Sequence, residues 1–123
     1  MRIAVVEDET VIREGMANIL QKIDPEYKVI GTAADGEAGY ELTKRMKPDL
    51  VIMDIRMPKM DGLTMLGKLR EEQIPCRAVV LTAYSEFDYA KLAIDQGVEH
   101  YLLKPIKIPA LKQVLQKTAD EIR

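Results

Sequence analysis

The chain alternates short apolar runs with longer amphipathic segments, and this rhythm repeats five times. The runs are rich in Val and Ile, and they are continuous rather than broken by a polar residue at every second position. Continuous runs are typical of strands covered on both faces, as in a parallel sheet flanked by helices. The five runs are Ile3–Val6, Val29–Ala33, Leu50–Met53, Ala78–Leu81 and Tyr101–Leu103.

The segments between the runs carry apolar residues at helical spacing. The first has Ile12, Met16, Ile19, Leu20 and Ile23. The last has Leu111, Leu115, Thr118 and Ile122, with Pro109 near its first turn. Strand and helix therefore alternate along the whole chain, which predicts one (βα)5 domain of the α/β class over residues 1–123.

Composition excludes several classes of protein. Of the 123 residues, 47% are apolar and 31% charged, and the formal net charge of −2 gives no general attraction to nucleic acid or anionic membranes. The apolar runs are too short to cross a bilayer, and the first residues lack the apolar core of a signal peptide. Cys76 is the only cysteine, which rules out an internal disulfide and suits a reducing cytosol. We expect a cytoplasmic protein that makes no membrane contact.

Charged and hydroxyl side chains follow four of the five runs. In an open parallel sheet, ligands bind beyond the carboxyl ends of the strands, so these side chains should share one edge. Taken singly, each acid could cap a helix, Thr82 could simply end a strand, and Lys104 could be a solvated surface lysine. The second run is followed by Asp35-Gly36, which we interpret as a turn. The converging residues are Glu7, Asp8, Asp54, Thr82 and Lys104.

Three carboxylates at one edge would stay partly protonated or push apart unless a cation joins them. Two like charges about 4 Å apart repel by roughly 4 kcal/mol at an effective dielectric near 20. Oxygen ligands suit Mg²⁺, and a chain with one His (His100) and one Cys offers little for zinc. Lys104 and Thr82 would neutralise a phosphoryl group carried on a carboxylate. Asp54 is then predicted to be a nucleophile that forms an acyl phosphate.

Four motifs make the chain resemble the receiver domain of two-component response regulators: VVEDE, DIRMPKMDG, LTAYSEFDYA and YLLKPI. The resemblance covers the whole chain. It implies a doubly wound, flavodoxin-like fold, with a five-stranded parallel sheet in the order 2-1-3-4-5 and helices on both faces. It also implies that Asp54 accepts a phosphoryl group from a sensor histidine kinase. The domain would then be a signalling switch and not an enzyme, although it would assist its own phosphorylation and dephosphorylation.

The resemblance also implies a role for each site residue. Mg²⁺ would be held by Glu7, Asp8, Asp54 and the backbone carbonyl of Arg56. The phosphoryl group would be bound by Thr82, the backbone of Ala83, and Lys104, which precedes a cis Pro105. Thr82 and Tyr101 would form the switch pair that changes the face made by the fourth helix, fifth strand and fifth helix. Arg56 and Tyr84, two residues beyond Asp54 and Thr82, would tune the phosphoryl lifetime.

The stretch YSEFDYAKLAIDQGVEHYLLKPI is similar to receivers of regulators that carry a C-terminal AraC-type helix-turn-helix. This similarity implies control of transcription, with DNA contacted only through an output domain that the sequence does not contain. The chain would be either an excised domain or a stand-alone receiver. Phosphorylation is expected to promote homodimerisation through the face defined above.

Two other functions stay open on the sequence alone. A phosphate-ester hydrolase could use Asp54, but such enzymes usually place a second acid two residues later, where this chain has Arg56. A degenerate receiver could serve only as a dimerisation module, which the intact set of site residues argues against.

Further features are interpreted as structural. GLTMLGKL, residues 62–69, nearly matches a phosphate-binding loop, but Leu69 stands where Ser or Thr is required, so we predict an amphipathic helix. Met57 and Met60 are expected to pack the segment after Asp54. Arg13, Lys44, Arg45 and Lys47 are interpreted as solvated surface charges.

Overall fold

Five parallel strands form one sheet in the computed structural model, which describes residues 1–83, 97–98 and 100–122. Their order is β2-β1-β3-β4-β5, as the resemblance implied. Each strand extends its predicted run by no more than one residue at either end, so the strand predictions are confirmed. The strands are β1 Arg2–Val6, β2 Lys28–Ala33, β3 Leu50–Asp54, β4 Arg77–Thr82 and β5 His100–Leu103.

Helices follow the strands as predicted. Numbered in order among the described residues, they are α1 Thr10–Ile23, α2 Gly36–Met46, α3 Gly62–Glu71 and α4 Ile108–Ile122. Helix α4 is the fifth of the predicted helices, and the fourth, predicted between β4 and β5, lies outside the described residues. Helix α3 covers the sequence that resembles a phosphate-binding loop, which confirms its assignment as a helix.

The three central strands, β1, β3 and β4, are buried on both faces, which explains their continuous apolar runs, whereas the edge strands β2 and β5 are mostly half-buried. Successive side chains of a strand point to opposite faces, so each strand contributes to two core clusters. One cluster joins Ala4, Val6, Val51, Met53 and Val80 to α2 and α3 residues such as Tyr40, Leu42, Met65 and Leu66. The other joins Ile3, Val5, Ile52 and Leu81 to Met16 and Leu20 of α1 and Leu111 and Leu115 of α4.

The sequence Asp35-Gly36 begins a helix, so its interpretation as a turn was wrong. Asp35 caps α2, and its side chain accepts a hydrogen bond from the Ala38 N–H at 2.7 Å. Gly36 is the first residue of the helix and packs against the backbone of Met60. The signal for a helix start was therefore present, because Asp is a favoured N-cap residue.

The segment 55–61, between β3 and α3, is packed rather than loose. Met57 and Met60 both lie against the core cluster on the α2 and α3 face, which confirms their predicted packing role. Asp61 ends the segment by capping α3, where its side chain accepts the Thr64 N–H at 2.7 Å. None of the helices that the structure describes is long and apolar enough to span a membrane.

Candidate functional site

The predicted site residues meet at the carboxyl edge of the sheet. Backbone hydrogen bonds extend the strand pairing beyond two of the strand ends, because Glu7 N–H donates to Ala33 O at 3.0 Å and Lys104 N–H donates to Thr82 O at 2.7 Å. Glu7 and Lys104 are thereby held in line with β1 and β5. Asp54 and Thr82 are the last residues of β3 and β4.

Lys104 bridges two carboxylates. Its Nζ lies 2.9 Å from Glu7 Oε1 and 2.8 Å from Asp54 Oδ2, although these residues are far apart in sequence. Burial alone would lower the pKa of the Lys104 ammonium, but its hydrogen bonds to Asp54 and Glu7 outweigh burial and raise that pKa. Lys104 is therefore a fixed positive charge beside Asp54.

Glu7 is buried, with 1% of its surface exposed. Burial and, to a lesser degree, the neighbouring Asp54 raise its pKa to about 7, against an ordinary value of 4.5, although Lys104 acts in the opposite direction. Its Oε2 atom is buried and has no hydrogen-bond partner among the described residues. A buried acceptor without a partner is costly, so this oxygen is suited to a ligand that supplies positive charge.

Glu7, Asp8 and Asp54 together fit a hard divalent cation. Each offers a carboxylate oxygen, and these atoms all lie within 4.8 Å of one another. Asp8 is exposed whereas the other two are buried, so the group opens toward solvent on one side. Oxygen ligands with access for water are what Mg²⁺ requires.

Asp54 is held by the turn that follows β3. Its Oδ1 accepts the Ile55 N–H at 2.7 Å, and Ile55 O accepts the Gly62 N–H at 2.7 Å. A Cβ atom on Gly62 would lie 2.1 Å from Asp54 O, so only glycine allows this approach of α3 to the strand end. The side chain of Asp54 is 13% exposed and can therefore be reached from solvent.

Helix capping does not account for the three acids. The N-cap of α1 is Glu9, which makes no side-chain cap hydrogen bond, and the N-cap of α3 is Asp61. The alternative interpretation of Glu7, Asp8 and Asp54 as caps is therefore wrong for this chain.

Thr82 and Tyr101 lie on the same face of the sheet. Tyr101 of β5 lies opposite Val80 of β4. Val80 and Thr82 are two residues apart on the same strand, so their side chains and that of Tyr101 point to the same face. Thr82 is buried, and Tyr101 is half-buried against the cluster that contains Val80. The two residues are thus near neighbours on one face of the sheet.

The remaining predicted residues lie around this edge. Arg56 is exposed two residues beyond the end of β3, and Ala83 is exposed directly after β4. The peptide bond between Lys104 and Pro105 is cis, which is what the resemblance implies. Tyr84 lies outside the described residues.

Arg13 contacts the site although the sequence analysis took it for a solvated charge, which was wrong. Its Nη1 donates to Glu7 O at 2.8 Å and lies 3.5 Å from Asp8 O. A signal was available, because Arg13 follows Glu9 by four residues, so its side chain lies on the same face of the helix as the acidic segment before it.

This chain combines a doubly wound α/β fold with an acidic group and a lysine at the carboxyl edge of its sheet, and this combination is typical of signalling receiver domains. The chain belongs to the response regulator receiver domain family, whose model matches residues 3–116. It is thus the receiver domain of a two-component response regulator. Receiver domains generally bind Mg²⁺ and interact with histidine kinases.

The relatives are transcriptional regulators. The chain is 35% identical over 122 residues to the uncharacterized transcriptional regulatory protein YesN of Bacillus subtilis, covering 99% of the chain and 33% of YesN. It is 37% identical over 122 residues to the transcriptional regulatory protein PdtaR of Mycobacterium tuberculosis, covering 99% of the chain and 58% of PdtaR. The chain thus spans about a third to three-fifths of these relatives' lengths.

Solved structures show the same fold. The signal receiver domain of the putative response regulator NarL from Mycobacterium tuberculosis superimposes with a TM-score of 0.89 at 31% identity, covering 97% of this chain and 95% of that one. The REC domain of AraT, a response regulator from Geobacillus stearothermophilus, gives a TM-score of 0.87 at 36% identity, covering 98% and 94%.

Proposed function

We propose that Asp54 is the phosphoacceptor of this receiver domain and takes its phosphoryl group from a sensor histidine kinase. The observation that carries the proposal is the position of Lys104, whose amine lies 2.8 Å from Asp54 and 2.9 Å from Glu7. This places one fixed cation beside a carboxylate that is mostly buried yet open to solvent.

In the transfer step, an Asp54 oxygen attacks phosphorus and a P–O bond forms. The P–N bond to the donor histidine breaks, and its electron pair remains on the imidazole, which then takes up a proton. Lys104 offsets the negative charge that the phosphoryl oxygens bring to the edge, and the Thr82 hydroxyl and Ala83 N–H can donate to those oxygens. The same groups would assist the later attack of water that releases phosphate.

Glu7, Asp8 and Asp54 would hold Mg²⁺, together with the Arg56 carbonyl. When bound, the ion supplies positive charge that neutralises the phosphoryl oxygens in the transition state. The unpartnered Oε2 of Glu7 supports this assignment, since a cation would satisfy that atom.

Thr82 and Tyr101 are proposed as the switch. A phosphoryl oxygen would draw the Thr82 hydroxyl toward Asp54, and the Tyr101 ring would move into the space that it leaves. The ligand shifts an existing equilibrium only by its differential affinity for the two states. Arg56 and Tyr84 are proposed to tune the phosphoryl lifetime by screening or admitting the attacking water.

The output is proposed to be transcription, through a domain outside this sequence. The transcriptional relatives YesN and PdtaR support this, and the AraC-type subgroup is proposed on the similarity of the stretch that ends in YLLKPI. Only that output domain would contact DNA. The sequence has a single cysteine, Cys76, so it has no internal disulfide, and this supports a cytoplasmic location. The receiver domain is proposed to span residues 1–123. Helix α4 continues to Ile122, and the Met1 amine donates to Glu26 O at 2.9 Å.

Labelling with acetyl phosphate and Mg²⁺ tests the proposal. The wild-type protein should gain one phosphoryl group by intact mass, whereas Asp54→Asn should gain none and keep its fold by circular dichroism. Asp35→Asn is the matched control, because Asn can also cap α2, and it should label like the wild type. Label on Asp54→Asn would place the acceptor elsewhere.

The same experiment separates the competing functions. Sustained turnover of a small phosphate ester by the wild type would indicate a hydrolase. Folded wild-type protein that does not label would indicate a degenerate receiver that serves only in dimerisation.

A further inference from the structure

Arg13 lies one helical turn beyond the acidic residues that precede α1. It is half-buried near the start of α1, and its N–H donates to Glu9 O at 2.9 Å as part of the helix. The N-terminus of a helix carries partial positive charge, but the acidic residues Glu7, Asp8 and Glu9 directly precede α1 and offset it. The contacts of the Arg13 side chain show what it holds in place.

Those contacts are with the backbone that carries two proposed metal ligands. Arg13 Nη1 donates to Glu7 O at 2.8 Å and lies 3.5 Å from Asp8 O, while Nη2 lies 3.5 Å from Thr10 Oγ1. On the other side, Glu7 N–H donates to Ala33 O at 3.0 Å. The peptide groups around Glu7 are thus held between β2 and α1.

We infer that Arg13 is a positioning residue for cation binding: by holding the carbonyls of Glu7 and Asp8, it fixes the directions of their carboxylates. The inference rests on the proposed function, because it takes these acids as Mg²⁺ ligands. Arg suits this role, since its planar guanidinium presents several donors in fixed directions. Groups that orient metal ligands typically change metal affinity about 10- to 100-fold when they are removed.

The positive charge of Arg13, considered alone, would weaken Mg²⁺ binding, whereas its positioning role would strengthen binding. A guanidinium close to the acidic group repels a divalent cation, so removing it should strengthen Mg²⁺ binding. If Arg13 acts by position, removing it should weaken binding. The sign of the change therefore distinguishes the two roles.

The test is calorimetric titration of Mg²⁺ into wild type, Arg13→Ala, Arg13→Lys and Arg45→Ala. Arg13→Ala should raise the dissociation constant about tenfold. Arg13→Lys keeps the charge with a less directional donor, so its loss should be smaller. Arg45→Ala is the matched control, because Arg45 is exposed near the end of α2 at the opposite edge of the sheet, and its affinity should stay at the wild-type value.

Amide hydrogen exchange of the Mg²⁺-free proteins gives a second readout. Exchange at residues 7–9 should be faster in Arg13→Ala than in the wild type, while exchange in β3 stays unchanged, which separates local loosening from global unfolding. An unchanged or lower dissociation constant for Arg13→Ala overturns the inference. If Arg13→Ala does not fold, the dissociation constant of Arg13→Lys is used instead, and an unchanged or lower value overturns the inference.

Failure of the proposed function gives a different result. In that case the wild type itself binds no Mg²⁺, and hydrogen exchange alone decides the inference. Unchanged exchange at residues 7–9 would then overturn it, and faster exchange would support the positioning of Glu7 and Asp8 by Arg13.

Discussion

Glu7 illustrates how a single residue prepares this edge for a cation. Its carboxyl group is buried, one oxygen contacts Lys104, and the other has no hydrogen-bond partner among the described residues. The order of the residues along the chain suggested that Glu7 was one member of an acidic group. Its burial, and with it the raised pKa, depends on how the strands pack and could not be read from local sequence.

The raised pKa of Glu7 predicts that stability falls with pH in Mg²⁺-free buffer. Folded Glu7 has a pKa of about 7 and its ordinary value is 4.5, so in this window the folded state holds a proton that the unfolded state has lost. The contribution of Glu7 to stability is thus complete below pH 4.5 and is lost as pH rises through 7. The loss should be on the order of 3 kcal/mol.

Urea unfolding of wild type and Glu7→Gln from pH 4.5 to 8, with a chelator present, measures this effect. Glu7→Gln should lack the part of the decline that the wild type shows. Glu14→Gln removes an exposed carboxylate of α1 and serves as the control. Equal pH dependence in wild type and Glu7→Gln would show that Glu7 is not the group responsible.

At the scale of elements, α2 and the segment 55–61 meet through Gly36. A Cβ atom on Gly36 would lie 1.8 Å from Met60 O, a distance that requires the backbone to move. Strand bounds were predicted to within one residue because burial on both faces leaves a local pattern. The contact between Gly36 and Met60 leaves no such pattern in the sequence, because the distance between α2 and the segment 55–61 is set by tertiary packing.

We predict that Gly36→Ala lowers the free energy of unfolding by about 1 to 3 kcal/mol, because α2 must shift to admit the methyl group. Gly15→Ala is the control in α1, where an added Cβ meets nothing within 4 Å. That change should stabilise the protein by about 0.5 to 1 kcal/mol. Both values come from urea unfolding, and equal effects of the two variants would contradict the proposed contact.

At the scale of the whole molecule, the sheet order brings the site together. β1 and β3 are neighbours, β4 and β5 follow, and so residues from the start and the end of the chain share one edge. The fifth strand connects this edge to α4, which packs on the opposite face from α2 and α3. We propose that a change at Asp54 reaches β5 through Thr82 and Tyr101.

We predict that phosphorylation promotes self-association through the face that includes β5 and α4. Sedimentation velocity with Mg²⁺ and beryllofluoride, a phosphoryl mimic, should show a shift from monomer toward dimer. Asp54→Asn under the same conditions should remain a monomer. Wild-type protein that stays monomeric at high concentration with the mimic bound would exclude this assembly.

The sequence by itself determined the (βα)5 architecture and the kinds of residue at the site. It could do so because strands buried on both faces must be continuously apolar, and the residues that follow such strands must share an edge. Only the tertiary structure decided that Lys104 bridges Glu7 and Asp54, and that Arg13 reaches back to the carbonyl of Glu7. Distances between groups far apart in sequence depend on strand register and helix packing, and local sequence patterns do not encode these.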